Sequence, residues 1–172
     1  MAKGVLVIDM LDDFLNPGGA LYVGNEAAGV VSPIFELLEK ERAAGTKVIY
    51  ICDHHTPEDA EFKMFPLHCI AGSEGAEIIH ELKPRQEDAI VYKRRFSAFS
   101  GTDLDITLRE YQITNLLLVG VCTNICVLYT AADARNLNYS VAVPRRCVAS
   151  FDPEAHEFAL GEMDRTLGVE VF

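Results

Sequence analysis

Apolar residues along this chain follow two alternating patterns. Short unbroken apolar runs are followed by stretches where apolar residues recur every three or four positions. A short run bounded by turn residues fits a strand buried on both faces, and the wider spacing fits one face of a helix. The runs predict strands at 3–8, 47–52, 89–92, 116–119 and 139–143, with an edge strand at 168–172. The wider spacing predicts helices at about 25–44, 104–111, 123–137 and 153–167, with a short helix or turn at 78–82. Punctuation agrees. Gly45 stops the first helix, Asp103 is placed to cap the second, and Asp152-Pro153 supplies an N-cap and a first-turn proline for the last. Asn16-Pro17-Gly18-Gly19 marks a loop. Six strands alternating with helices predict an α/β fold: one domain over 1–172, three layers, with a doubly wound six-stranded parallel sheet.

Composition narrows the function classes. A formal net charge of -11 with scattered basic residues argues against nucleic acid as a partner. No apolar stretch is long enough for a transmembrane helix, so no membrane partner is expected. The N-terminus runs straight into a strand without a signal-peptide pattern, and the five cysteines are odd in number. Reduced thiols in a cytoplasmic protein are the expectation.

Chemistry collects where strands end. Asp9 and Lys93 each close an apolar run, and Gly120 leads into a turn that places Cys126 near a helix start. In a parallel sheet all three project at one edge. A helix N-terminus and a nearby ammonium both favour a thiolate, and Asp9 can take the thiol proton. Each residue alone also has a plainer reading: Asp9 as a turn cap, Lys93 as a solvated lysine, Cys126 as core. The loop after the second strand is dense in metal-capable side chains: Asp53, His54, His55, Glu58, Asp59, Glu61 and His68.

The ordered set of motifs resembles the isochorismatase-like cysteine hydrolases and, within them, the nicotinamidases. It consists of Val7-Ile8-Asp9-Met10 with Asp13-Phe14, Asp53-His54-His55, Phe65-Pro66-Leu67-His68, Lys93 with Phe96-Ser97-Ala98-Phe99, and Gly120-Val121-Cys122-Thr123-Asn124-Ile125-Cys126-Val127. The resemblance spans nearly the whole chain and implies a six-stranded parallel sheet flanked by helices. It implies Asp9 as base, Lys93 as thiolate stabiliser and Cys126 as nucleophile, acting through a thioester. It implies backbone N–H donors at Cys122 and Cys126 for the oxyanion, and a cis peptide between Val121 and Cys122. It further implies a divalent metal, zinc first with manganese or iron as alternatives, held by Asp53, His55 and His68. Glu61, seven residues before His68, matches a position that some nicotinamidases use as a further ligand. The resemblance implies that this metal would hold the pyridine nitrogen of the substrate. Phe14, Phe65 and Phe96 match positions lining the ring pocket, although relatives often carry Trp at the position of Phe65 and this chain has none. The implied substrate is a small amide, nicotinamide, with pyrazinamide as a side substrate, and the implied assembly is a homo-oligomer, a dimer or tetramer.

Two other readings remain open. One is a different hydrolase of the superfamily, acting on a ureido or carbamoyl amide or on isochorismate. The other is a non-catalytic metal-binding or thiol-sensing protein, for which the spacing of Cys122 and Cys126 would serve redox pairing. Among the remaining residues, Cys52 is expected in the core, Cys147 in a loop and His54 facing away from His55. Cys69 lies outside the family's ligand pattern, His156 is expected at a surface or interface, and His80 has no identifiable partner.

Overall fold

The computed structural model describes residues 2–172. Seven strands, β1 (Ala2–Ile8), β2 (Lys47–Asp53), β3 (Ala89–Lys93), β4 (Ile113–Val121), β5 (Ser140–Val143), β6 (Val148–Ala149) and β7 (Glu170–Val171), form one sheet. The order is β3-β2-β1-β4-β5-β7, and β6 pairs with the end of β4. Every pairing between named strands is parallel. The helices are α1 (Asp12–Leu15), α2 (Asn25–Gly29), α3 (Val31–Ala43), α4 (Leu104–Glu110), α5 (Leu128–Asn136) and α6 (Pro153–Arg165).

The central strands are apolar at nearly every position because both faces are covered. Val5 and Val7 point into a core with Ile34 and Leu38 of α3. Leu6 and Ile8 point the other way, into a core with Leu104 and Leu108 of α4, Ala131 and Ala134 of α5, and Leu160 of α6. Successive side chains of a strand alternate faces, so one continuous apolar run builds two cores. Among the described residues no helix is long and apolar enough to cross a membrane.

The expected sheet gains a seventh strand. Two residues of β6 pair with Gly120 and Val121, too short a segment to stand out as an apolar run. The expected helix over 25–44 is two helices meeting at Val30. Pro33 has no N–H to continue the ladder from the preceding turn, so a new helix starts with Pro33 in its first turn. The expected helix over 123–137 opens with a π-helical turn, Thr123–Val127. Asp152 caps α6 as expected, accepting from the Glu154 and Ala155 N–H groups. The Asp103 side chain makes no cap bond; the Thr102 hydroxyl accepts from the Leu104 N–H instead, at 3.2 Å.

Gly120, next to the end of β4, pairs with Ile8. It has φ +117°, and a Cβ there would lie 2.0 Å from the Ile8 carbonyl oxygen. Both the conformation and the space demand glycine. Gly120→Ala is expected to cost at least about 2 kcal/mol, roughly 4–8 °C in Tm for a chain of this length. A thermal melt in which the variant matches the wild type would contradict this.

Candidate active site

Parallel strands end together, and the register puts four functional groups at one edge. Ile8 pairs with Ile51 and with Gly120, and Asp53 pairs with Lys93. The residues that follow or close these strands are Asp9, Asp53, Lys93 and the turn bearing Cys126. This is the edge where open α/β sheets take ligands. Asp9 adopts φ +52°, which an aspartate tolerates better than most residues. Its N–H donates to the Ile51 carbonyl at 2.9 Å, while its Oδ1 accepts from the Asp53 N–H at 2.9 Å.

Lys93 is fully buried, and its ammonium has three partners. Asp53 Oδ1 lies at 2.5 Å, Asp9 Oδ2 at 2.9 Å and Cys126 Sγ at 3.4 Å. Burial alone would lower the Lys93 pKa, but Asp53 and then Asp9 carry it well above its ordinary value. Burial would raise Asp53; the Lys93 ammonium instead holds it well below the usual carboxylate range. Burial and then the Asp53 charge push Asp9 up to about 6. The Asp9–Lys93 contact is an ion pair without an aligned hydrogen bond, which leaves Asp9 Oδ2 open as an acceptor.

Cys126 sits in the π-helical turn, where the Val127 N–H donates to the Cys122 carbonyl at 3.2 Å and the Ile125 N–H to the same oxygen at 3.0 Å. Turns of this wide type occur often at functional sites. Carboxylate oxygens of Asp9 and Asp53 and the Cys126 sulfur lie within 4.8 Å of one another. Burial pushes the Cys126 thiol well above its ordinary pKa, and Lys93 opposes this only in part. Burial thus opposes the thiolate that the sequence pattern favours. Desolvation works against the ionised sulfur, and Asp9 stands beside it to take the proton. The Val121–Cys122 peptide is cis, as the resemblance implies.

Beside this group, Asp53, His55, Glu61 and His68 bring one donor atom each within 4.8 Å of one another, and all four are buried. His55 Nε2 lies 3.6 Å from Asp53 Oδ2 and 4.0 Å from Glu61 Oε1, and His68 Nε2 lies 3.7 and 3.8 Å from the same two oxygens. These distances are too long for hydrogen bonds. They approach the roughly 3.3–3.6 Å between neighbouring donors around a tetrahedral ion with bonds of about 2.0–2.2 Å. His68 donates its Nδ1–H to the Pro66 carbonyl at 2.7 Å, which turns the Nε2 lone pair towards the cluster. His55 Nδ1 bonds Asp59 at 3.1 Å, and its buried Nε2 has no hydrogen-bond partner. An orphaned imidazole nitrogen facing two carboxylates is what a metal site presents. Three buried carboxylates, Asp9, Asp53 and Glu61, also face one buried ammonium, an excess of two negative charges that a divalent cation would cancel. The residues fit such an ion, and Glu61 belongs with the other three. Asp53 joins the two groups, giving Oδ1 to Lys93 and Oδ2 to the cluster.

A cavity of about 310 Å³ opens over Cys126 and the cluster. Phe14, Phe65 and Phe96 line it, as the resemblance implies. Phe65 meets Phe96 edge to face at 6.3 Å, and Phe96 stacks on Tyr129 at 5.8 Å. Sequence reasoning missed Phe151, which the unexpected β6 delivers to the cavity mouth. It also missed Asp13, whose carboxylate accepts from the Ala20 and Cys69 N–H groups at 3.0 and 2.7 Å and so braces the segment next to His68. The Asp13-Phe14 pair was visible as a motif, but its bracing role depends on a contact across more than fifty residues.

The other singled-out side chains fall outside. His54 faces away and packs on Tyr92 with ring centroids 4.4 Å apart. Cys69 directs its sulfur at the Gly75 carbonyl, away from the cluster. Cys52 and Cys147 are buried in the core; Cys147 lies in the connection between β5 and β6 as expected, closing the short 3-10 turn Arg145–Cys147 with its thiol turned inward. All five cysteines are free. His156 is not a bare surface group: its Nδ1 lies 2.8 Å from the Thr123 hydroxyl, at the start of the π-helical turn. His80 is exposed.

Comparison with known proteins agrees with this geometry. A family model described as Isochorismatase domain matches residues 3–171. The isochorismatase family protein PncA of Bacillus subtilis is 38% identical, with 99% of each chain covered. The crystal structure of the nicotinamidase/pyrazinamidase PncA from Bacillus subtilis superposes with a TM-score of 0.94 at 38% identity, covering 99% of each chain. The pyrazinamidase of Pyrococcus horikoshii in complex with zinc superposes with a TM-score of 0.93 at 30% identity, covering 100% of this chain and 99% of that one. With its parallel sheet, its strand-end groups and this match along nearly its whole length, the chain belongs to the isochorismatase family.

Proposed function

We propose that this protein is a metal-dependent nicotinamidase, hydrolysing nicotinamide to nicotinate and ammonia and accepting pyrazinamide as well. The observation that carries the reading is the pairing of Cys126 with the four-residue cluster across one small, mostly apolar cavity. A flat heteroaromatic amide has two ends that need different chemistry. Its carboxamide faces the thiol, and its ring nitrogen faces the cluster. A divalent cation held by Asp53, His55, Glu61 and His68 would supply an electron-pair acceptor for that nitrogen, with zinc as the first choice for this donor set.

The steps assigned to the chain's own residues balance as follows. Cys126 Sγ attacks the amide carbon as its proton passes to Asp9. The carbonyl electrons move to oxygen, where the Cys122 and Cys126 N–H groups receive the oxyanion. The intermediate collapses with loss of ammonia, which takes the proton back from Asp9, and leaves a thioester on Cys126. Asp9 then removes a proton from water as it attacks the thioester carbon; collapse breaks the C–S bond, and Asp9 returns the proton to the departing Cys126 thiolate. Lys93 keeps its charge throughout, lowering the cost of negative charge on sulfur and holding Asp9 in place.

The lining also bears on the other hydrolase readings. Besides Tyr22 and the thiols of Cys122 and Cys126, the ionisable lining groups are Asp9, Asp53, Glu61 and His68; among the described residues no lysine or arginine lines the cavity, and Lys93 lies beneath it with its own partners. A ureido acid or isochorismate carries a carboxylate, and the lining offers no lysine or arginine to pair with it.

Ammonia release across a panel of small amides tests the assignment. Nicotinamide and pyrazinamide are expected to turn over, and carboxylate-bearing ureido or carbamoyl amides to be at least about tenfold poorer in kcat/KM. Cys126→Ala should lower release from nicotinamide by at least about a thousandfold. Retained turnover in that variant, or preference for the anionic amides, would contradict the reading. Chelation separates the two halves of the site. Because the ion holds the ring and does not make the nucleophile, metal removal should raise KM for nicotinamide more than it lowers kcat. An unchanged KM with a collapsed kcat would contradict that division of labour.

A further inference from the structure

Asp59 lies outside the cavity lining and outside the four-residue cluster, yet its side chain is only 2% exposed and holds three separate groups. Its Oδ2 lies 3.1 Å from His55 Nδ1. Its Oδ1 accepts from the Glu61 N–H at 3.1 Å, capping the short 3-10 turn Ala60–Lys63. From the outer side, Arg95 Nη1 donates to Oδ1 at 3.1 Å and approaches Oδ2 at 3.3 Å.

Each contact has a consequence for the cluster. A carboxylate facing His55 Nδ1 requires a proton on that nitrogen, so in the neutral ring the lone pair resides on Nε2. That is the nitrogen aimed at Asp53 and Glu61. Holding the Glu61 N–H fixes the turn from which the Glu61 side chain reaches the same centre. One carboxylate therefore sets the tautomer and direction of one donor and the backbone position of another. Arg95 ties the arrangement to the segment after Lys93, two residues away in sequence. We propose that Asp59 is the positioning residue that sets the affinity of the cluster for a divalent cation. This rests on the reading of that cluster as a metal site given above.

Asn at this position separates the two roles. Asparagine caps a helical turn about as well as aspartate, so a capping role survives Asp59→Asn. Its amide has a single oxygen, however. If that oxygen keeps the Glu61 N–H, the amide nitrogen faces His55 and selects the tautomer with the proton on Nε2, which cannot ligate. If the oxygen turns to His55, the cap is lost.

The experiment is a chelator-competition titration with zinc on purified wild type, Asp59→Asn and Asp59→Ala, alongside thermal melts of the metal-free proteins. Asp59→Asn is expected to weaken zinc binding by about 10–100-fold with a metal-free Tm close to that of the wild type. Asp59→Ala should weaken it at least as much. Asp59→Asn that binds zinc as the wild type does, with only Asp59→Ala impaired, would reduce Asp59 to a cap and overturn the inference. Wild type that holds no zinc would bring down the metal reading itself, and this inference with it. A second readout needs no variant. The imidazole 15N shifts of neutral His55 in metal-free wild type should show the proton on Nδ1, and a proton on Nε2 would overturn the proposal.

Discussion

The buried ammonium of Lys93 is the constraint on which the rest of the site depends. A lysine with no contact to water is tolerated only if anionic partners replace its hydration. Asp9 and Asp53 do so at 2.9 and 2.5 Å, and their backbone is fixed by β1, β2 and β3. Removing one partner of such a pair typically costs about 3–5 kcal/mol, because it strands a buried charge. The three residues therefore stand or fall together. Cys126, at 3.4 Å from the same ammonium, is placed beside a positive charge that cannot leave.

The same arrangement explains why the chemistry and the cluster are one site. Asp53 divides its two oxygens between Lys93 and the donors His55 and His68. Two carboxylates on one ammonium leave a negative excess, and Glu61 adds to it. A cavity walled by Phe14, Phe65 and Phe96 lies over both groups, and its aromatic walls suit a flat guest. Charge balance inside the protein thus ties the two groups together through the same few side chains.

Much of this was legible in the sequence because it follows from parallel-sheet geometry. Apolar runs that end in Asp9 and Lys93 must deliver them to one edge, and the i, i+2 spacing of Asp53 and His55 gives them a common side. The ordered motifs then supplied Cys126, His68 and Glu61. What could not be read were effects that arise only when distant segments meet. Burial pushes the Cys126 thiol up against the pull of Lys93, because distant segments close over the sulfur. β6 forms because Val148 and Ala149 find the end of β4, and its two residues show no pattern of their own. The long helix breaks at Val30 for a local reason, Pro33, that apolar spacing alone does not register. Asp59 looked like one more acidic loop residue until His55, Glu61 and Arg95 closed around it.

The central claim is that Cys126, held between Asp9 and Lys93, carries the acyl group during turnover. The most direct measurement is rapid acid quenching of the protein mixed with nicotinamide, followed by mass spectrometry of its peptides. The account predicts a nicotinoyl thioester on the peptide containing Cys126, formed and consumed at rates compatible with ammonia release. Turnover that proceeds with Cys126 unmodified at every time point, or with the acyl group on another residue, would contradict it.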